Sequence, residues 1–229
     1  PIMEIKYNRG KIYKKKISNM ARVISEIGYD VTNRPPTIIG ICEVENRKVV
    51  EDLIANEKLS NHNYGIVHYD SPDRRGIDVG LLYNKDIFEI LNSNSHELYI
   101  TYNNTNDRSY TRDQLVVSGK LDGELIHLIV NHWPSRGADE TKRIAAAEVN
   151  NSIIDSLRGI YKNPKIITMG DFNDDPFDKS IKKILGAKKE INDVGKNDLY
   201  NPFEKILVEQ GIGTNAYRDK WQLFDQIIL

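Results

Sequence analysis

Four places in this chain set chemically capable side chains at the ends of apolar runs, where loops present them above a rigid sheet. In Ile39-Gly40-Ile41-Cys42-Glu43-Val44-Glu45-Asn46 a carboxylate follows an apolar run directly. Glu43 can there hold a hard cation, and magnesium suits it because that ion keeps several waters and needs only one or two protein carboxylates. Equally, Glu43 and Glu45 can simply precede a helix whose N-terminal dipole favours acids. In Ile166-Ile167-Thr168-Met169-Gly170-Asp171-Phe172-Asn173-Asp174-Asp175-Pro176, an Asp and an Asn two residues apart point the same way if the backbone is extended. One can orient or deprotonate a water while the other holds a phosphate oxygen. Gly, Asp, Asn and Pro are also turn formers, but a turn does not account for a carboxylate–amide pair mounted on a buried strand.

His132, in Val130-Asn131-His132-Trp133-Pro134-Ser135-Arg136-Gly137, ends an apolar strand and shares its face with Leu128 and Val130, with Arg136 close behind. A strand-end His is more often a satisfied structural side chain than a catalyst. Arg112, in Tyr110-Thr111-Arg112-Asp113-Gln114, is placed to fork onto a phosphate, with a surface ion pair as the alternative.

The elements that must position these groups are legible as patterns. Residues 11 to 27 read as a helix through Ile17, Met20, Ile24 and Ile27, with Gly28 as its stop and Lys11, Lys14, Lys15 and Lys16 as a solvated face. Thr37 to Cys42 reads as a strand covered on both faces. A helix follows from about Asn46 to Leu59, then strands at Tyr64 to Tyr69, Ile77 to Tyr83, Leu115 to Gly119 and Leu125 to Asn131. A helix at Thr141 to Leu157 precedes strands at Lys165 to Met169 and Leu223 to Leu229. Strands that succeed one another without helices predict mixed sheets with helices outside. No repeat or linker interrupts the chain, so residues 1–229 read as a single domain.

The bulk numbers exclude more than they assign. Thirty-two Lys and Arg against 33 Asp and Glu leave a charge of −1, so phosphate binding must come from a local cluster. Arg74, Arg75, Arg108, Arg112 and Arg136 form one if their loops converge. Cys42 is the only cysteine, which excludes an intramolecular disulfide and disfavours a thiolate zinc site. No apolar run approaches the ~18 residues of a membrane helix, and no obligate protein partner is evident.

In order along the chain, Cys-Glu-Val-Glu, Tyr-Thr-Arg-Asp, Asn-His-Trp-Pro-Ser-Arg, Gly-Asp-Phe-Asn-Asp and Leu-Phe-Asp-Gln-Ile-Ile resemble the endonuclease/exonuclease/phosphatase superfamily. The segment Tyr69 to Val79 looks like its bacterial branch. The resemblance implies an α/β fold of deoxyribonuclease I type, a four-layer sandwich of two mixed sheets flanked by helices. It implies Glu43 as metal ligand, Asp171 and Asn173 positioning water and phosphate, and His132 bonding the phosphoryl oxygens. Arg112 and Arg136 would hold substrate phosphate. Asp225 matches the carboxylate that orients a catalytic His near the family's C-terminus. The family's opening strand with its Asn and its closing Ser-Asp-His have no counterpart here. The chain is therefore expected to lack its first and last strands.

The leading expectation is a magnesium-dependent phosphoesterase, with manganese able to substitute, cleaving phosphodiesters as a nuclease does. A phosphatase or phospholipase acting on a phosphoinositide or sphingomyelin-like substrate is the second reading. A binding module that has lost its chemistry is the third.

Overall fold

The computed structural model describes residues 2–102, 105 and 107–229, with side chains from Arg9 onward. Its first element is helix α1 (Ile2–Glu26), closed by Gly28 in the left-handed conformation at φ 65°. The buried stripe is Ile17, Ala21 and Ile24, while Met20 and Ile27 face solvent, so the core-facing side is turned from the expected one. Asn46 caps helix α2 (Arg47–Ile54), its side chain accepting from Val49 N–H at 3.1 Å. Helix α3 (Glu140–Ile160) begins behind Asp139, which accepts from Thr141 N–H at 2.9 Å.

Strands β1 (Ile38–Val44), β2 (Tyr64–His68) and β3 (Asp78–Asn84) form an antiparallel sheet in the order β1-β3-β2. Strands β4 (Phe88–His96), β5 (Gln114–Leu121), β6 (Glu124–His132), β7 (Lys165–Asp171) and β8 (Asp225–Ile228) form a five-stranded sheet in the order β8-β7-β6-β5-β4. Within this sheet only β6 and β7 run parallel, and α3 is the crossover between them.

Three apolar layers hold these parts together. Val79, Leu81, Leu128, Val130 and Met169 fill the space between the sheets. Ile17, Ala21, Val50 and Leu53 bring α1 and α2 onto the outer face of the small sheet. Ala146, Ala147, Ile153 and Ile154 bring α3 onto the outer face of the large one. The result is the expected four-layer sandwich of the deoxyribonuclease I type. The small sheet does not cover β8. Ile227, in register with Met169, is 45% exposed.

Several elements were not visible in the sequence patterns, two of them substantial. Strand β4 carries Asn92-Ser93-Asn94-Ser95, all turn formers, and lies at the sheet edge with its residues mostly out of the core. Helix α4 (Phe203–Gln210) has no buried residue, so no apolar stripe marks it. Among the described residues no helix is long and apolar enough to cross a membrane.

Candidate active site

At one end of the sandwich the strand register lines up three predicted residues. His132 is the partner of Asp171 across the parallel β6–β7 pair, and Asp171 is the partner of Asp225 across the antiparallel β7–β8 pair. Residues opposite one another share a face, so imidazole and two carboxylates form one row. Glu43 approaches from the other sheet, at an irregularity of the β1–β3 pairing between Ile41 and Val44. Its φ is 58°, a left-handed bulge that turns the side chain out of the ladder. Glu43, Asp171 and Asp225 line a cleft of about 380 Å³, whose far wall includes Tyr13, Ile17 and Met20 of α1.

Asp171 is the best-positioned acid. Burial pushes its carboxyl up to about 6, against the lowering pull of the Asn173 N–H, with Asp225 and Glu43 adding like charge. Asn173 N–H donates to Oδ1 at 2.9 Å, which fixes the carboxylate. Oδ2 lies 3.6 Å from His132 Nε2. Burial, then the Arg112 and Arg75 guanidinium groups, press the His132 imidazole down to about 3, so it is neutral at physiological pH. Its Nδ1 is buried without a hydrogen-bond partner.

Gly170 makes the close approach of β7 to β6 possible. It sits at φ 130°, and a Cβ there would run into the Asn131 carbonyl oxygen. Beyond Asp171 the chain turns rather than extends: Asn173 is left-handed at φ 51°, and its side-chain amide donates to the Trp133 carbonyl at 2.9 Å. The expected extended Asp171–Asn173 pair is thus corrected. The turn reading and the mounted carboxylate are both present, and one N–H of the Asn173 amide is engaged by the Trp133 carbonyl.

Arg112 and Arg136 are both engaged by protein groups. Arg112 is buried, with Nε donating to the His132 carbonyl at 3.1 Å, a second nitrogen to the Trp133 carbonyl, and the third to Asp73 at 3.0 Å. All three nitrogens of its fork bond protein groups. Arg136 pairs with Asp174, Asp175 and Asp178 and lies over the Phe224 ring. It holds the loop after Asn173 and is turned to that acidic cluster.

Other residues matter that no motif announced. Asn131 donates to Thr168 Oγ1 at 2.7 Å and accepts from Trp133 Nε1 at 3.0 Å and from Asn150 of α3 at 2.9 Å. This buried network locks the β6 end that carries His132. A signal existed: Asn150 interrupts the apolar face of α3 between Ala147 and Ile154. His68, Asp70 and Asp78, also at this rim, could bring ligand atoms within 4.8 Å of one another. Asp78, however, already accepts from Ser71 N–H at 2.8 Å, Ser71 Oγ at 2.7 Å and His68 Nε2 at 3.1 Å, which marks it as the staple of the β2–β3 loop. Cys42 donates to the Asn131 carbonyl at 3.2 Å, and burial pushes its thiol up to about 12, so it is no nucleophile.

The sequence matches the endonuclease/exonuclease/phosphatase family over residues 3–229, and the chain belongs to that family of phosphoesterases. No curated protein matches it. Among solved structures, it resembles the human Nocturnin catalytic domain with bound sulfate (TM-score 0.65, 16% identity, 93% of this chain and 74% of that one). It also resembles a mannosyl-6-phosphatase of Bacteroides thetaiotaomicron (TM-score 0.65, 18% identity, 97% and 79%). A third likeness is TDP2 of D. rerio complexed with a single-strand DNA product (TM-score 0.57, 16% identity, 93% and 76%). These likenesses establish the fold.

Proposed function

We propose that the chain hydrolyses phosphodiester bonds in the manner of a nuclease, with magnesium held at Glu43 and manganese able to replace it. The observation that carries this reading is the row His132–Asp171–Asp225 across adjacent strand ends, faced by Glu43. The donor set fits a hard divalent ion: all oxygen carboxylates, with neither Glu43 nor the Asp225 side chain paired to a cation among the described residues. Bound there, such an ion supplies charge stabilisation to the phosphoryl and leaving oxygens.

The chain's own groups do the rest. Asp171, with an affinity for protons close to neutrality, accepts the proton of the attacking water. Asn173 N–H holds the carboxylate so that one oxygen stays aimed. Neutral His132 offers a hydrogen bond to the phosphoryl oxygens without a charge of its own. Asp225 borders Asp171 and adds to the proton affinity that burial raises. Arg112 acts as a positioning residue, tying the His132–Trp133 backbone to the β2–β3 loop.

The test is hydrolysis of bis(p-nitrophenyl) phosphate by the purified protein with magnesium or manganese. Activity should vanish on chelation, and Asp171→Asn should lower it by roughly two to four decades, the range for removing a general base. Equal, metal-independent rates in both proteins would overturn the reading.

A further inference from the structure

Among the pockets outside the catalytic cleft, one is lined by residues that follow His132 in the chain, Pro134 and Ser135. It encloses about 250 Å³, and its lining includes Arg74, Arg75, Tyr110, Thr111, Arg112 and Lys142. Four cations against the single carboxylate of Asp73 make it a positive locality on a chain whose net charge is −1. Arg74, Arg75 and Arg112 line it, Arg108 lies against its Tyr110, and the Arg136 side chain is turned to the acidic cluster elsewhere.

Three features point to a ligand. Arg74 is exposed and has no acidic partner among the described residues; its guanidinium instead lies 5.3 Å over the Tyr110 ring. The Thr111 hydroxyl is buried without a hydrogen-bond partner, although Thr111 lines the pocket. An aromatic surface surrounds the mouth: Arg108 lies 4.8 Å from the Tyr110 ring and 5.2 Å from that of Tyr99, and Lys142 Nζ lies 4.5 Å from Tyr102. Tyr99, Tyr102 and Tyr110 are 59%, 43% and 43% exposed. Arg112 also lines it, and its Nε holds the His132 carbonyl, so one side chain ties the pocket to the strand end that carries a site residue.

We infer that this pocket is a second phosphate subsite, which takes the backbone phosphate next to the scissile one in single-stranded nucleic acid, with neighbouring bases lying on the tyrosines. A volume below the ~300 Å³ where drug-sized pockets begin suits a phosphate better than a whole nucleotide. Alternating cations and half-exposed rings are the chemistry of sequence-tolerant strand binding, with stacking worth about 1–3 kcal/mol per base. The inference rests on the phosphodiesterase reading for what happens to the strand, and on the pocket alone for its binding.

Binding and turnover therefore need separate measurement. The probe is a fluorescein-labelled ten-nucleotide single strand, titrated by anisotropy in EDTA so that no cleavage occurs. Arg74→Ala and Tyr110→Ala, both at exposed positions, should each weaken binding about 5- to 50-fold. Arg74→Ala should also reduce the slope of log K against log salt by about one. Both variants should hydrolyse bis(p-nitrophenyl) phosphate at the wild-type rate, since that small diester does not reach the pocket. Wild-type binding by both variants would overturn the subsite, as would inositol hexakisphosphate displacing the strand while strand length has no effect. A wild-type protein that binds the strand but never hydrolyses the small diester sinks the phosphodiesterase reading and leaves the subsite standing.

Discussion

Asp171 and Asp225 face each other as register partners on neighbouring antiparallel strands. Like charges directly opposite in a sheet destabilise it, and Asp225 is among the groups that raise the proton affinity of Asp171. A divalent cation bound in the cleft, as proposed, would relieve that repulsion. Magnesium should accordingly raise the thermal midpoint of the protein, by the equivalent of ~2.7 kcal/mol at a hundred times its dissociation constant. Asp225→Asn should raise the metal-free midpoint and blunt the magnesium response. Differential scanning fluorimetry with and without EDTA reads both, and a midpoint indifferent to magnesium would count against a cation among these carboxylates.

The depressed imidazole of His132 makes a pH prediction for the metal-free protein. In the unfolded chain His titrates near 6.5, whereas the folded imidazole takes a proton only near 3. Between these values the unfolded state binds more protons. The contribution is complete above pH 6.5 and is lost as pH falls, by up to ~1.4 kcal/mol per pH unit. Asp171 works in the opposite sense between 3.8 and about 6, because its folded state holds the proton longer. The His132 part is thus the difference between wild type and His132→Gln in urea unfolding at pH 7.5, 6 and 5. The gap in stability should narrow steadily toward pH 5, and parallel profiles would show that the folded imidazole titrates normally.

Arg112 separates two roles by kinetics. If its guanidinium held the substrate, Arg112→Lys would raise KM. Because it instead bonds the carbonyls of His132 and Trp133, the loss should fall on kcat, with KM of the small diester nearly unchanged. Arg112→Ala removes the buried partner of Asp73, leaving it only the exposed Arg75, and should cost about 3–5 kcal/mol of stability in urea unfolding.

Gly170→Ala should destabilise the fold by at least ~2 kcal/mol, because an added Cβ meets the Asn131 carbonyl at a φ that L-residues rarely adopt. The folded fraction should also turn over more slowly, since Asp171 is the next residue. Activity per folded molecule, with the fraction taken from the unfolding curve, reads both effects.

Much of this was legible in the chain itself. The apolar runs of β1 and β7 marked Glu43 and Asp171 as strand-end acids, because burial on two faces leaves no polar alternation to blur the signal. His132 and Arg112 were recognisable as candidates, but their burial was not: nothing local says that a guanidinium will be closed over by carbonyls twenty residues away. Asn173 was misplaced because an extended and a left-handed backbone are equally compatible with Asp-Phe-Asn. Ala21 took the core position expected of Met20, a choice made by the helix's rotation over the small sheet.

The left-handed backbone at Glu43 has a consequence for selection. A non-glycine residue at φ 58° holds conformational strain on the order of 1–2 kcal/mol. Glycine at position 43 would relieve it, so a library sorted only for resistance to unfolding should enrich Glu43→Gly, while the same library sorted for phosphodiester hydrolysis should discard it. The two sorted pools should part company at this codon first. On the proposed reading, the carboxylate of Glu43 offsets in turnover what its backbone costs in stability.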